Sequence, residues 1–148
     1  MTTMTRSSLP GYRENFIVVR AAREGKPLVG NFNRWFRYFT EKARYAWCVH
    51  LVVGLDIYHK DGLPDNDEAS DVNRFKDKLL IETEPAGPLL YVGHHFWNAS
   101  SDIYAYTDAP EALHARLQSI TRQKKIDKEF TYTISRDPDW SKVAPFLG

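Results

Sequence analysis

Cys48 and His50 stand two residues apart in the run from Ala46 to Tyr58, whose alternation predicts a β-strand. Side chains two apart on a strand share a face, so a thiol and an imidazole point the same way. His94 and His95 occupy a second apolar run, and Asp56 adds a carboxylate near the end of the first. Thiolate, imidazole and carboxylate together are the donors for zinc or copper, and a thiol beside an imidazole is a nucleophile with its base. The spacing argues against both. Consecutive histidines on a strand face opposite ways, so only one, His95, joins Cys48, His50 and Asp56. The chain has no Cys-x-x-Cys, His-x-x-x-His or His-Glu-x-x-His. A small buried cysteine and hydrogen-bonded strand histidines account for the same residues. No catalytic residue, metal or cofactor is assigned, and Cys48, His50, His95 and Asp56 stand as an alternative ligand or metal face.

Carboxylates crowd residues 56–71: Asp56, Asp61, Asp65, Asp67, Glu68 and Asp71. Their spacing misses the calcium-loop pattern, and Asp61-Gly62-Leu63-Pro64 reads as a turn. An acidic docking surface is the better use of Asp65, Asp67 and Glu68. Tyr91, Trp97, Tyr104, Tyr106 and Tyr132 fall in strand-like runs, and an open sheet face would present some of them as anchors. Trp97, Tyr104 and Tyr106 therefore join the acids as partner-binding candidates. A third possibility lies in residues 33–45, where Arg34, Arg37, Lys42 and Arg44 interleave with five aromatics. Rings that stack on bases and cations that meet phosphate make a nucleic-acid surface. The competing reading is an amphipathic helix capped by Asn33, burying Trp35, Phe39 and Ala43 at four-residue spacing. Glycine-rich RNA-binding and phosphate-loop motifs are absent.

These residues need elements to hold them. Two strand-like runs around Glu24-Gly25-Lys26-Pro27 predict an N-terminal hairpin. After the strand at 46–58, Asp65 and Glu68 predict a capping box opening a helix with Val72, Phe75 and Leu79 inward. Residues 88–97 and 102–107 form a second hairpin across a four-residue turn. Asp108 and Glu111 predict a second box, opening a helix that buries Leu113, Leu117 and Ile120. A strand over 129–135 follows, then a tail that packs back through Phe146 and Leu147. The order strand, helix, strand, strand, helix, strand predicts an α+β, ferredoxin-like βαββαβ two-layer sandwich. The expected organisation is one domain: a flexible lead-in at 1–12, the hairpin and short helix at 13–45, the core at 46–136 and the tail at 137–148.

A chain of 148 residues with 43% hydrophobic content needs no disulfide or metal to fold, and one cysteine excludes an internal disulfide. No run is long enough for a membrane span, and residues 1–10 lack the apolar core of a secretory signal, which predicts a cytoplasmic protein. The net charge of +1 conceals +6 over residues 1–50 and −5 over 51–84. Adjacent segments of opposite sign neutralise each other or steer a partner.

Asp61-Gly62-Leu63-Pro64, Tyr91-Val92-Gly93, Asp102-Ile103-Tyr104-Ala105-Tyr106, Asp137-Pro138-Asp139-Trp140 and the weaker Gly25-x-Pro27 together resemble a bacterial family, domain of unknown function 695. That family looks related in fold to regulator of ribonuclease activity B, a small acidic protein that binds ribonuclease E. The resemblance implies a ferredoxin-like sandwich and a protein-binding role, and it brings no catalytic residues. This chain departs from that regulator in being near neutral, so the shared partner is not implied.

The expectation is a protein-binding or regulatory module without catalysis, acting on an unidentified protein partner. A small hydrolase or metal-binding protein and a nucleic-acid binder stand as alternatives, and sheet edges leave a homodimer open.

Overall fold

The computed structural model describes residues 9–148. The lead-in expected over 1–12 falls largely outside the described residues. Its described part is packed, because Leu9 is buried and Tyr12 lies against the same core.

Strand β1 (Phe16–Arg23) turns into β2 (Lys26–Asn33) through Glu24-Gly25, both at positive φ. That two-residue turn suits the twist of a hairpin. Asn33 then accepts from the backbone N–H of Trp35 at 3.2 Å, the cap expected of it. The α-helix expected after it does not form. Instead two 3₁₀ turns, Arg34–Tyr38 and Lys42–Tyr45, carry the chain onward. Three residues per turn aligns Phe36 with Phe39. Phe36 is fully buried while Ala43 is exposed, so the four-residue stripe was the wrong period.

Strand β3 (Trp47–Gly54) is shorter than the alternating run, because the chain leaves the sheet at Leu55. The Asp61–Pro64 loop closes as a turn: Asp61 accepts from the N–H of Leu63, and Gly62 sits at φ 91°. Helix α1 (Asn66–Thr83) opens with the side chain of Asp65 accepting from the N–H of Glu68, and it buries Val72, Phe75 and Leu79. Strands β4 (Leu89–Trp97) and β5 (Ser100–Thr107) meet at Asn98-Ala99, a two-residue turn rather than four. Helix α2 (Pro110–Arg122) lacks its expected capping box: the hydroxyl of Thr107 accepts from the N–H of Ala109, leaving Asp108 exposed. Strand β6 (Thr131–Arg136) and a short α3 (Ala144–Leu147) complete the described chain.

The six strands make one antiparallel sheet in the order β1-β2-β4-β5-β3-β6. This differs from a four-stranded ferredoxin-like sheet because the N-terminal hairpin adds onto the β4 edge. Helices α1 and α2 cover Val49, Leu51, Val53, Tyr91 and Ile103 on one face. The other face carries a second core, in which Trp140, Val143 and Leu147 close over Cys48, Leu90, Val92, Tyr104 and Tyr106. The motif Asp137-Pro138-Asp139-Trp140 is a clasp: Asp137 accepts from Tyr106 and from the N–H groups of Ser141 and Lys142. Beyond the helices the hairpin is bare on the α1 and α2 side, with Phe16 38% and Val18 58% exposed. Among the described residues no helix is long and apolar enough to cross a membrane.

Candidate functional site

The register sets His50 opposite Tyr104, and Asp102 opposite both Val52 and His95. Three neighbouring strands thereby place two imidazoles, a carboxylate and a phenol on one face. His50 Nε2 lies 2.7 Å from Asp102 Oδ2. Its ring is 4.7 Å from that of Tyr104 and nearly parallel to it. The Tyr104 hydroxyl is 3.1 Å from His95 Nε2.

His95 reaches this face through a β-bulge between Tyr91 and Gly93. One inserted residue reverses the side-chain alternation beyond it. Tyr91 and His94 therefore share the helix side, where the Tyr91 hydroxyl meets His94 Nδ1 at 2.9 Å, and His95 turns to the other. The neighbouring strand must come close at this point. A Cβ on Gly30 would lie 2.7 Å from the His95 Cβ and also against the His94 carbonyl. Gly30→Ala is expected to cost about 2 kcal/mol in urea unfolding, since overpacking forces backbone shifts. A change below about 0.5 kcal/mol would show that β2 has slack here.

Burial opposes the charge on Asp102, yet the hydrogen bond from His50 and the nearby imidazoles hold its carboxyl below the usual range. Burial pushes His95 down to about 4, with Arg23 and His50 acting the same way and Asp102 opposing. Burial and then the Asp102 charge raise the Tyr104 phenol. His95 Nδ1 is buried with no hydrogen-bond partner. Such a cluster orients an imidazole by a carboxylate, the arrangement that supports proton transfer.

The other two expected members do not join this cluster. Cys48 is fully buried beside Tyr106, and burial pushes its thiol up to about 11. A thiol buried and held protonated in this way is a poor nucleophile. Asp56 lies beyond the end of β3 and is bound to Lys128 at 3.1 Å. Among the described residues no three His, Cys, Asp or Glu side chains could hold a metal ion.

The expected partner surface also comes apart. Tyr104 and Tyr106 are buried under the tail and cannot serve as exposed anchors. Glu68 is buried as well: its carboxylate accepts from the N–H groups of Asp56 and Ile57 and lies 3.8 Å from Lys128. Asp65 caps α1, Asp67 is exposed, and Trp97 is half-buried with its indole N–H donating to Arg23. Of the basic segment, Arg34, Arg37 and Arg44 are exposed, while Lys42 donates to the Arg37 carbonyl.

Two features escaped sequence reasoning. Asp102 is the first residue of the strand expected over 102–107, so its place inside β5, opposite both Val52 and His95, comes from the shorter turn. The second is the outer edge of β1. Its two-residue turn makes Arg23 and Lys26 a hydrogen-bonded pair. By alternation Phe16, Val18, Arg20 and Ala22 then aim their N–H and C=O groups away from β2. Strand β1 ends the sheet, so these groups lie along an edge that no described strand pairs. No proline or bulge within β1 blunts that edge. Phe16 and Val18 add exposed apolar surface, and the strand holds Arg20 and Arg23 with no acid.

A model described as "Family of unknown function (DUF695)" matches residues 14–147. No curated protein and no solved structure matches the chain.

Proposed function

The chain belongs to the DUF695 family of unknown function, and from that premise we propose that it is a cytoplasmic protein-binding, regulatory module that receives a partner strand along β1. The carrying observation is the unpaired edge with Val18 58% exposed beside Phe16. An added strand would satisfy the outward N–H and C=O groups and cover both side chains. Two guanidiniums and no carboxylate within the strand select an extended segment that alternates apolar and acidic residues. A second copy would instead gather four guanidiniums along the seam.

The core supports a ferredoxin-like assignment within this reading. Strands β4-β5-β3-β6 run in the order 2-3-1-4 of the split βαβ pattern, and all their neighbours are antiparallel. Kinship in fold with regulator of ribonuclease activity B, and a binding role like its own, belong to the same proposal. Two of the family motifs have structural work, since Asp61–Pro64 closes a turn and Asp137–Trp140 holds the tail clasp.

Val18→Pro tests the edge. Val18 and Asn31 are a non-hydrogen-bonded pair, so proline there removes an outward N–H while sparing the β1–β2 ladder. The expected result is a stoichiometric protein retained from native lysate by the tagged wild-type chain and lost by Val18→Pro, whose stability changes by no more than about 1 kcal/mol. Retention of the same protein by folded Val18→Pro, with loss in Asp67→Asn, would move the interface to the acidic start of α1 and overturn the edge reading. Sedimentation showing a dimer that Val18→Pro dissociates would replace the foreign strand by a second copy.

A further inference from the structure

The 3₁₀ turn at Arg34–Tyr38 sorts its residues by chemistry. With three residues per turn, positions i and i+3 eclipse. Arg34 therefore aligns with Arg37, Trp35 with Tyr38, and Phe36 with Phe39. Phe36 enters the core, and Trp35 is tied down by its indole N–H donating to Gly11 at 3.0 Å. Tyr38 and the two arginines are exposed, with the Arg34 guanidinium beside Gly148. Tyr38 is 77% exposed, and the Arg37 guanidinium covers one face of its ring at 5.0 Å. The ring's opposite face is left for another planar group.

Among the described residues neither Arg34 nor Arg37 has a carboxylate within ion-pair distance, whereas the nearby Glu41 is taken by Arg44 at 3.9 Å. Lys42 is occupied with the Arg37 carbonyl. Arg34, Arg37 and Tyr38 line a groove of ≈ 690 Å³ together with Asn15, Thr40 and Glu41. Two unpaired cations aligned on one side of a turn call for an anion, and a guanidinium-backed aromatic face calls for a flat ring. A nucleic-acid strand offers both at a repeating spacing, while an acidic peptide has no use for the ring.

We propose that this groove binds single-stranded nucleic acid, with Arg34 and Arg37 on phosphates and a base stacked on the free face of Tyr38. The inference is independent of the β1 edge, since it uses none of the edge side chains. Binding would be tolerant of sequence, because every base has a stacking face.

The test is fluorescence anisotropy with labelled oligouridylate and oligothymidylate of about twelve nucleotides, titrated with the full chain from about 20 to about 200 mM salt. Two phosphate contacts predict a slope of log affinity against log salt of about −1.4. Tyr38→Ala is expected to weaken binding about tenfold with the slope unchanged. Arg34→Gln with Arg37→Gln is expected to flatten the slope. All three side chains are exposed, so melting curves should match the wild type. Absence of binding at the lowest salt, or affinity unmoved by Tyr38→Ala, would overturn the proposal. Equal competition by oligoglutamate of matched charge would replace it with an acidic-peptide site. Equal competition by uridine monophosphate would reduce it to a mononucleotide pocket.

Discussion

Between about pH 7.5 and about pH 5 the chain is expected to lose about 4 kcal/mol of folding stability, before most carboxylates begin to titrate. His94 and His95 are the source. Burial is the first cause at both, and it lowers each to about 4. Lys76 and His95 push His94 the same way, whereas at His95 the Asp102 charge resists. The native chain thus refuses protons that the unfolded chain accepts from about pH 6.5 downward. A group depressed in the folded state stabilises fully above its unfolded pKa, and that stability drains as pH falls toward the folded value. At about pH 5 the difference is about 2 kcal/mol for each histidine. Asp102 and Asp137 are also depressed, so their contributions persist until the carboxylate range and fail later.

Urea midpoints across this range measure the effect directly. His94→Gln and His95→Gln should each remove about half of the slope, whatever they do to stability at neutral pH. A midpoint that stays flat from about pH 7.5 to about pH 5 would mean that these imidazoles reach water in the folded state. The effect also bears on the site, because protonating His95 would place a cation beside His50 and Asp102 and leave its Nε2 able only to donate to the Tyr104 hydroxyl.

His95 also illustrates what a sequence can and cannot disclose. Its strand, its burial and its opposition to His94 follow from periodicity. Which face it takes does not, because the bulge before Gly93 reverses the alternation and nothing local announces it. The same limit separated Cys48 from His50: they share a face, but the tail covers one and leaves the other half-wet. Long-range closure by Trp140 decides that, and residues so far apart in the chain leave no mark on each other's pattern. Capping at Asp65 was legible because it is a contact over three residues. The box at Asp108 failed because Thr107, one residue earlier, offered its hydroxyl first. The basic segment failed by period, three instead of four, since aromatic crowding against Trp140 favoured the tighter turn. The free edge of β1 was hidden for another reason. An edge is defined by which strand is missing, and strand order lies beyond any window of sequence.

Trp140→Ala is expected to be the most damaging single substitution, costing about 4 kcal/mol in urea unfolding. The ring is fully buried and lies 4.1 Å from that of Tyr106, nearly parallel to it. It also packs on Phe36 and Phe39, so it touches both the sheet and the first 3₁₀ turn. Its indole N–H donates to the carbonyls of Lys42 and Tyr45, at 3.1 and 3.0 Å. Alanine would therefore open a cavity and leave two backbone acceptors without this donor. Trp140→Phe separates the two terms: it keeps much of the ring packing and loses the bond, so a cost of about 1–2 kcal/mol is expected. Because Trp140 anchors the tail, its removal should also uncover Tyr104, Tyr106 and Cys48. A thiol reagent that ignores Cys48 in the wild type should react with it in Trp140→Ala under conditions where the chain remains folded. Cys48 that stays inert, together with a cost below about 1 kcal/mol, would mean that the second core is held by Val143 and Leu147 without the clasp. Strand-edge binding by Val18 should survive Trp140→Ala while the chain stays folded, since the clasp lies on the opposite face of the sheet. Loss of both together, in a variant whose β1 remains folded, would tie the partner to the tail.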